Sequence, residues 1–260
     1  MSEQERQQER AQDKILVERD EAGIVTLTLN DPEERNALGH AFVEELIERL
    51  TAIGEDPEAR VCIVRGAEEI FCAGGHKDML MALASGEVAA SDIIVSRAML
   101  ELPIPSIACV EGHAVGGGLT LALCCDMVLL AEESSYGCSF MNMGFTPGMG
   151  TTRLLQLAVG EYIAAEMMYS GRFVRGAHFA NRGLINDVMP RRKLHRRALK
   201  LARSIAEKPR YALELLKHSL SIPKRQLFEE ARSTESFMHE ICFTKDETKA
   251  LIEDYYPKGD

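Results

Sequence analysis

No apolar run in the 260 residues approaches the ~18 needed to cross a bilayer, so no membrane-spanning helix is expected. The seven cysteines are an odd number and form no CxxC pair and no zinc-like Cys/His spacing. That excludes a disulfide framework, and no metal site is expected. Cys62, Cys109, Cys124 and Cys125 lie in apolar context and read as buried free thiols of a reducing compartment. Positive charge is scarce: 30 Lys and Arg against 40 Asp and Glu leave a formal net charge of −10. Such a chain is poorly suited to nucleic acid. The start, MSEQERQQERAQDK, lacks the apolar segment of a secretion signal. Residues 1–14 therefore read as a flexible N-terminus, and the protein as cytoplasmic.

What is present is a real core, with 46% hydrophobic and 27% charged residues. GIVTLTLND alternates Val25, Leu27 and Leu29 with polar residues and reads as a strand. AFVEELIERLTAI places Val43, Leu46, Ile47 and Leu50 on one helical face. VCIVRG, PSIACVEG and MVLLA are short apolar runs with the look of buried strands. The first two lead into glycine clusters, Gly74-Gly75 and Gly116 to Gly118, and then into helical patterns. After residue 190 the pattern is nearly all helical, with Pro190, Pro209 and Pro223 as expected boundaries. An α/β core over 15–190 and a helical region over 191–260 follow. Within the latter, RRKLHRRALKLAR (191–203) carries Leu194, Ala198, Leu201 and, just beyond, Ile205 at helical spacing. It reads as a surface helix with a basic face, and an acidic partner is the other reading.

The glycines limit the chemistry. GGGLTLALCCD (116–126) has neither the Lys-Ser/Thr of a P-loop nor the spacing of a dinucleotide fingerprint, and GxSxG is absent. Two glycine-rich turns remain, each able to aim a backbone N–H at one point. Together they can form an oxyanion hole, the second N–H strengthened by the helix beginning after it. Packing alone is the competing explanation.

NDPEERNAL (30–38), FCAGG (71–75), EGHAVGGG (111–118), CDMVL (125–129) and GFTPGMG (144–150) together resemble the crotonase, or enoyl-CoA hydratase, superfamily. The resemblance runs from about residue 15 to the C-terminus. It implies a spiral of ββα units, a C-terminal helical region that builds a homotrimer or dimer of trimers, and thioester substrates. It assigns the oxyanion-hole N–H groups to Gly75 and Gly117. The two glutamates of the family's hydratases fall on Thr120 and Phe140, neither of which is a base. Hydration needs an acid and a base, so an ordinary hydratase is not expected.

SFMNMGFTPGMGTT (139–152) and ESFMHEICFTKDETKALIEDYY (235–256) resemble one branch more closely. This is the decarboxylases of polyketide β-branching (HMG-CoA synthase-type) cassettes. They act on a 3-methylglutaconyl group carried on the phosphopantetheine of an acyl carrier protein. By this resemblance the substrate sits on a carrier protein or CoA, no further cofactor is required, and His239 delivers the proton. Ala73, Gly74, His76, Gly116, Thr120 and Phe140 become the expected substrate-contacting positions. The branch's carboxylate-holding lysine falls around Ala89, a departure, and Lys77 or its neighbour His76 is the expected replacement. His113 reads as support for its turn, and Cys138 as cavity wall. His40, His178, His195 and His218 show no partner at an informative spacing. Two further readings stay open: a double-bond isomerase of the same superfamily and a non-catalytic thioester-binding or scaffold protein. Carrier preference and the α or γ site of protonation also stay open.

Overall fold

The computed structural model describes residues 13–67, 69–88, 94–181 and 185–256. The expected flexible start therefore lies almost wholly outside the described residues, and so does Ala89. β1 (Ile15–Arg19) and β2 (Ile24–Leu29) form an antiparallel hairpin with Ile15 opposite Leu29. The helix that follows, α1 (His40–Glu55), buries Phe42, Leu46, Leu50 and Ile53. This is the expected helix turned slightly: Val43 and Ile47 are only half-buried because they line a cavity rather than the core.

Next come β3 (Val61–Gly66), β4 (Ile70–Cys72), α2 (Lys77–Ser85) and α3 (Val95–Glu101). They are followed by β5 (Ser106–Val110), β6 (His113–Val115) and α4 (Gly117–Cys124). β7 (Met127–Ala131) and β8 (Ser135–Gly137) precede a 3₁₀ turn, Ser139–Met143. The pair α5 (Thr151–Val159) and α6 (Glu161–Ser170) leads to β9 (Phe173–Arg175) and β10 (Asp187–Met189).

The strands form two sheets, ordered β1-β2-β3-β5-β7-β10 and β4-β6-β8-β9. Three successive strand pairs repeat one manoeuvre. β3, β5 and β7 enter the larger sheet in parallel, while β4, β6 and β8 enter the smaller one. A helix or helical turn follows each pair. This is the ββα spiral of the crotonase fold. The central parallel strands of the larger sheet are buried on both faces, as strands covered on both sides must be; every residue of β5 is buried. Close approach between layers depends on Gly118, where an added Cβ would stand 2.3 Å from the Cys72 carbonyl oxygen.

Three helices complete the chain: α7 (Arg191–Ala206), α8 (Arg210–Phe243) and α9 (Asp246–Tyr255). α7 lays Leu194, Ala198, Ala202 and Ala206 on the larger sheet, with Leu201 and Ile205 packed at the margin. Arg192, Lys193, Arg196, Lys200 and Arg203 stay exposed. The expected boundary at Pro223 does not exist, because Pro223 lies inside the 34-residue α8. Proline withholds one helical N–H, but contacts on both sides hold the helix together. Lys217 pairs with Asp126 at 2.6 Å, and the Lys224 ammonium donates to the Leu123 and Cys125 carbonyls at 2.7 and 2.5 Å. Those carbonyls end α4, where a cation is favoured. Among the described residues no helix is long and apolar enough to cross a membrane, and no group of three His, Cys, Asp or Glu is placed to hold a metal ion.

Candidate active site

A cavity of about 440 Å³ opens between the two glycine turns, α1, α2, the 144–150 loop and one face of α8. In its glycine wall several of the neighbouring backbone groups are already engaged. Gly74, at φ +95°, gives its carbonyl to the Leu38 N–H at 2.7 Å, and the Leu38 carbonyl accepts from His76 N–H at 3.3 Å. Gly116, at φ +51°, donates to the Gly137 carbonyl at 2.8 Å. Gly75 N–H and Gly117 N–H have no protein acceptor among the described residues, and both glycines line the cavity. The two turns touch: a Cβ added to Gly74 would lie 3.7 Å from Gly117 N. Gly117 is the first residue of α4, so its N–H carries the partial positive charge of a helix start. The far side of the Gly75 residue is held by Tyr256, whose hydroxyl donates to its carbonyl at 2.5 Å.

The opposite wall consists of side chains. Phe228, Arg232, Glu235, His239 and Phe243 recur every three to four residues along α8 and, with Ser236, line the cavity. His239 is buried against Phe145 and Phe243, with ring centroids 5.8 and 5.2 Å away. Its Nε2 lies 2.8 Å from the Thr146 carbonyl oxygen. A carbonyl can only accept, so Nε2 carries the proton and the neutral ring keeps its lone pair at Nδ1. That Nδ1 is buried and has no partner among the described residues. Burial pulls the His239 pKa below its ordinary value, while the Thr146 and Pro147 carbonyls act the other way. Gly148 is required beside it, since an added Cβ would stand 2.5 Å from the ring.

Glu235 fixes the loop between the walls. α5 has no cap of its own, and the Glu235 carboxylate supplies one from α8. Gly150 N–H donates to it at 2.7 Å, Thr152 N–H at 2.8 Å and the Thr152 hydroxyl at 2.7 Å. Burial raises its pKa, and these hydrogen bonds offset part of the rise.

Of the residues singled out in the sequence, Ala73, Gly74, Gly75, Gly116, Gly117, Phe140 and His239 line this cavity. Lys77, His76 and Thr120 do not. Lys77 is the half-buried first residue of α2. His76 caps that helix, its Nδ1 accepting from Asp78 N–H, and its Nε2 lies 3.2 Å from Glu34. Capping turns the ring away from the substrate side. Thr120 is fully buried, and its hydroxyl bonds the Thr151 hydroxyl at 2.5 Å and the Gly116 carbonyl at 3.2 Å. It ties α4 to α5 instead of facing a ligand.

Cys138 is buried outside the lining, and burial pushes its thiol up to about 12. His113 accepts from Ser135 N–H at 2.9 Å and so supports its turn. His40 lines the cavity beside Glu44, 3.3 Å away, and His195 lies 3.0 Å from Arg65. Neither pairing makes a proton relay with His239. Arg232, Glu235 and Tyr256 were not singled out in the sequence. For the first two, the α8 spacing that includes His239 was the available signal; Tyr256 had none. α7 contributes nothing to the cavity, because it covers the outer face of the larger sheet.

A family model described as enoyl-CoA hydratase/isomerase matches residues 19–260. The bacillaene synthase decarboxylase PksI of Bacillus subtilis (strain 168) is 33% identical over 236 residues, covering 91% of this chain and 95% of that protein. A solved structure from a dehydratase/decarboxylase enzyme couple involved in polyketide beta-branching matches with a TM-score of 0.90. It is 32% identical and covers 95% of this chain and 100% of its own. The ECH2 decarboxylase domain of CurF from Lyngbya majuscula gives a TM-score of 0.86 at 32% identity, covering 94% and 99%.

Proposed function

The chain belongs to the enoyl-CoA hydratase/isomerase family, and from that premise we propose that it decarboxylates a 3-methylglutaconyl-type thioester in polyketide β-branch formation. The observation that carries this reading is the pairing of two acceptor-free N–H groups with a wall that has no carboxylate at position 120 or 140. Glu44 and Glu87 are exposed at the cavity, and Glu235 is committed to capping α5. The relatives known as decarboxylases support the same reaction class.

The thioester carbonyl accepts from Gly75 and Gly117 N–H. The bond to the terminal carboxylate carbon breaks and CO₂ leaves. Its electron pair spreads through the double bond onto the thioester oxygen, giving a dienolate. Negative charge grows on that oxygen only as the reaction proceeds, so the two N–H groups bind the transition state more tightly than the substrate. One proton then returns to carbon. Nε2–H of His239 is held by Thr146, so delivery occurs from a protonated Nδ1. A bound carboxylate and the developing dienolate both favour the imidazolium.

The reaction draws on no cofactor beyond the phosphopantetheine that carries the acyl group, on acyl carrier protein or CoA. The partnership we assign is a homotrimer or dimer of trimers, supported by exposed Tyr211, Leu215, Leu216, Leu220 and Ile222 on α8. Isomerisation is the second reading, favoured by the bare Nδ1 of His239, which in the neutral ring is a base. Mass spectrometry of 3-methylglutaconyl-loaded carrier protein separates them. Loss of CO₂ is expected with the wild type, and impaired turnover, with the proton returned slowly, for His239→Ala. An isomer of unchanged mass would establish the second reading, and an unconsumed thioester would point to a binding protein.

A further inference from the structure

With Lys77 and His76 outside the cavity, the lining offers one Lys or Arg among the described residues, Arg232. It stands on the α8 face that carries His239, two turns earlier, about 10 Å along the axis. The rest of the lining is largely apolar, with Glu44, Glu87 and Glu235 as its acids. An acyl chain ending in a carboxylate would enter this space against those acids and in need of a cation. Arg232 Nε lies 3.3 Å from one oxygen of Glu229. The other oxygen of Glu229 accepts Arg97 Nη2 at 2.5 Å and Nε at 3.2 Å. Arg97 thus steadies the carboxylate that orients Arg232.

We infer that Arg232 receives the free carboxylate of the acyl chain and selects dicarboxylic mono-thioesters over neutral ones. The inference rests on the decarboxylase reading for its substrate class. A planar guanidinium suits the task, because its fork matches a carboxylate in two parallel hydrogen bonds. Arg232 holds the carboxylate before CO₂ leaves, so it strengthens substrate binding and not the transition state specifically. Its loss raises KM and leaves kcat nearly unchanged.

The test uses two saturated thioesters that cannot form a dienolate, 3-methylglutaryl-CoA and isovaleryl-CoA, titrated calorimetrically into wild type, Arg232→Gln and Arg232→Lys. Wild type is expected to prefer the acid. Arg232→Gln should weaken binding of 3-methylglutaryl-CoA by roughly 10- to 100-fold, leave isovaleryl-CoA within about twofold, and melt like the wild type. Arg232→Lys should restore part of the preference. Undiminished preference for the acid in Arg232→Gln, or equal weakening of both ligands, overturns the assignment. Release of CO₂ from 3-methylglutaconyl-CoA is measured separately on the wild type. Its absence would refute the decarboxylase reading while the binding comparison still decides the role of Arg232.

Discussion

The two walls of the cavity divide the chemistry between backbone and side chain. The glycine wall presents two N–H groups without a protein acceptor among the described residues, and no ionisable group stands between them. The α8 wall presents Arg232, Glu235 and His239, all ionisable, on one helical face. Stabilising an enolate calls for fixed dipoles, which work at any pH and need no reorganisation. Holding a carboxylate and returning a proton calls for groups that carry or change charge. The division predicts that damage to one wall will read out differently from damage to the other.

The largest expected effect is on the side-chain wall. His239→Ala should lower kcat by about 10²–10⁴, the usual reach of a positioned acid, with dienolate formation left intact. Deuterium exchange into the acyl chain should then slow together with product release from the enzyme. Close behind comes Gly117→Pro, which deletes one N–H at the first residue of α4; it is read against Gly117→Ala, because a Cβ at 117 itself stands 2.7 Å from Met149 Sδ and 2.8 Å from Leu38 Cδ1. A fall of about 10²–10³ in kcat is expected, with the thermal melt checking the fold.

The pH profile sharpens the contrast further. His239 titrates below its ordinary value of about 6.5, and the protonated form is the donor. So kcat/KM should fall as pH rises through that lowered pKa, and the limb should vanish in His239→Ala. A limb that survives would move the proton donor elsewhere. Stability carries the opposite sign. The unfolded chain binds the His239 proton more readily than the native one, so its contribution is fully present above about pH 6.5 and lost as pH falls through the folded value.

A smaller effect, on stability first, is expected for Glu235→Ala. Removing the cap of α5 leaves Gly150 and Thr152 N–H unpaired, and a loss of about 1–3 kcal/mol by denaturant unfolding should follow. Smallest of all, charge reversal at Arg192 and Lys193 should leave turnover of CoA-borne substrate within about twofold, since α7 lies outside the cavity. A larger change would show that the basic face reaches the site.

The glycine wall was legible in the sequence for a physical reason. Positive φ at Gly74 and Gly116 and close approach at Gly118 admit no other residue without strain, so the requirement is written locally. The long buried strands were legible too. Strands β4, β6 and β8, at three residues each, are too short to show a period, and the smaller sheet was missed with them. Pro223 misled because tertiary anchoring outweighs local preference. The α8 wall resisted most of all. Lys77 and His76 are adjacent to Gly75 in sequence, yet the start of α2 turns them away. Arg232 comes from more than 150 residues later through the path of a helix that local rules would have cut in two.

The acceptor-free state of Gly75 and Gly117 has a consequence for observing the protein at work. Most amides in this interior are tied to a carbonyl and exchange with solvent deuterium only when the structure opens. These two need no such opening wherever water reaches the cavity. Their protection should appear when a thioester binds and disappear when the product departs, making them built-in reporters of occupancy.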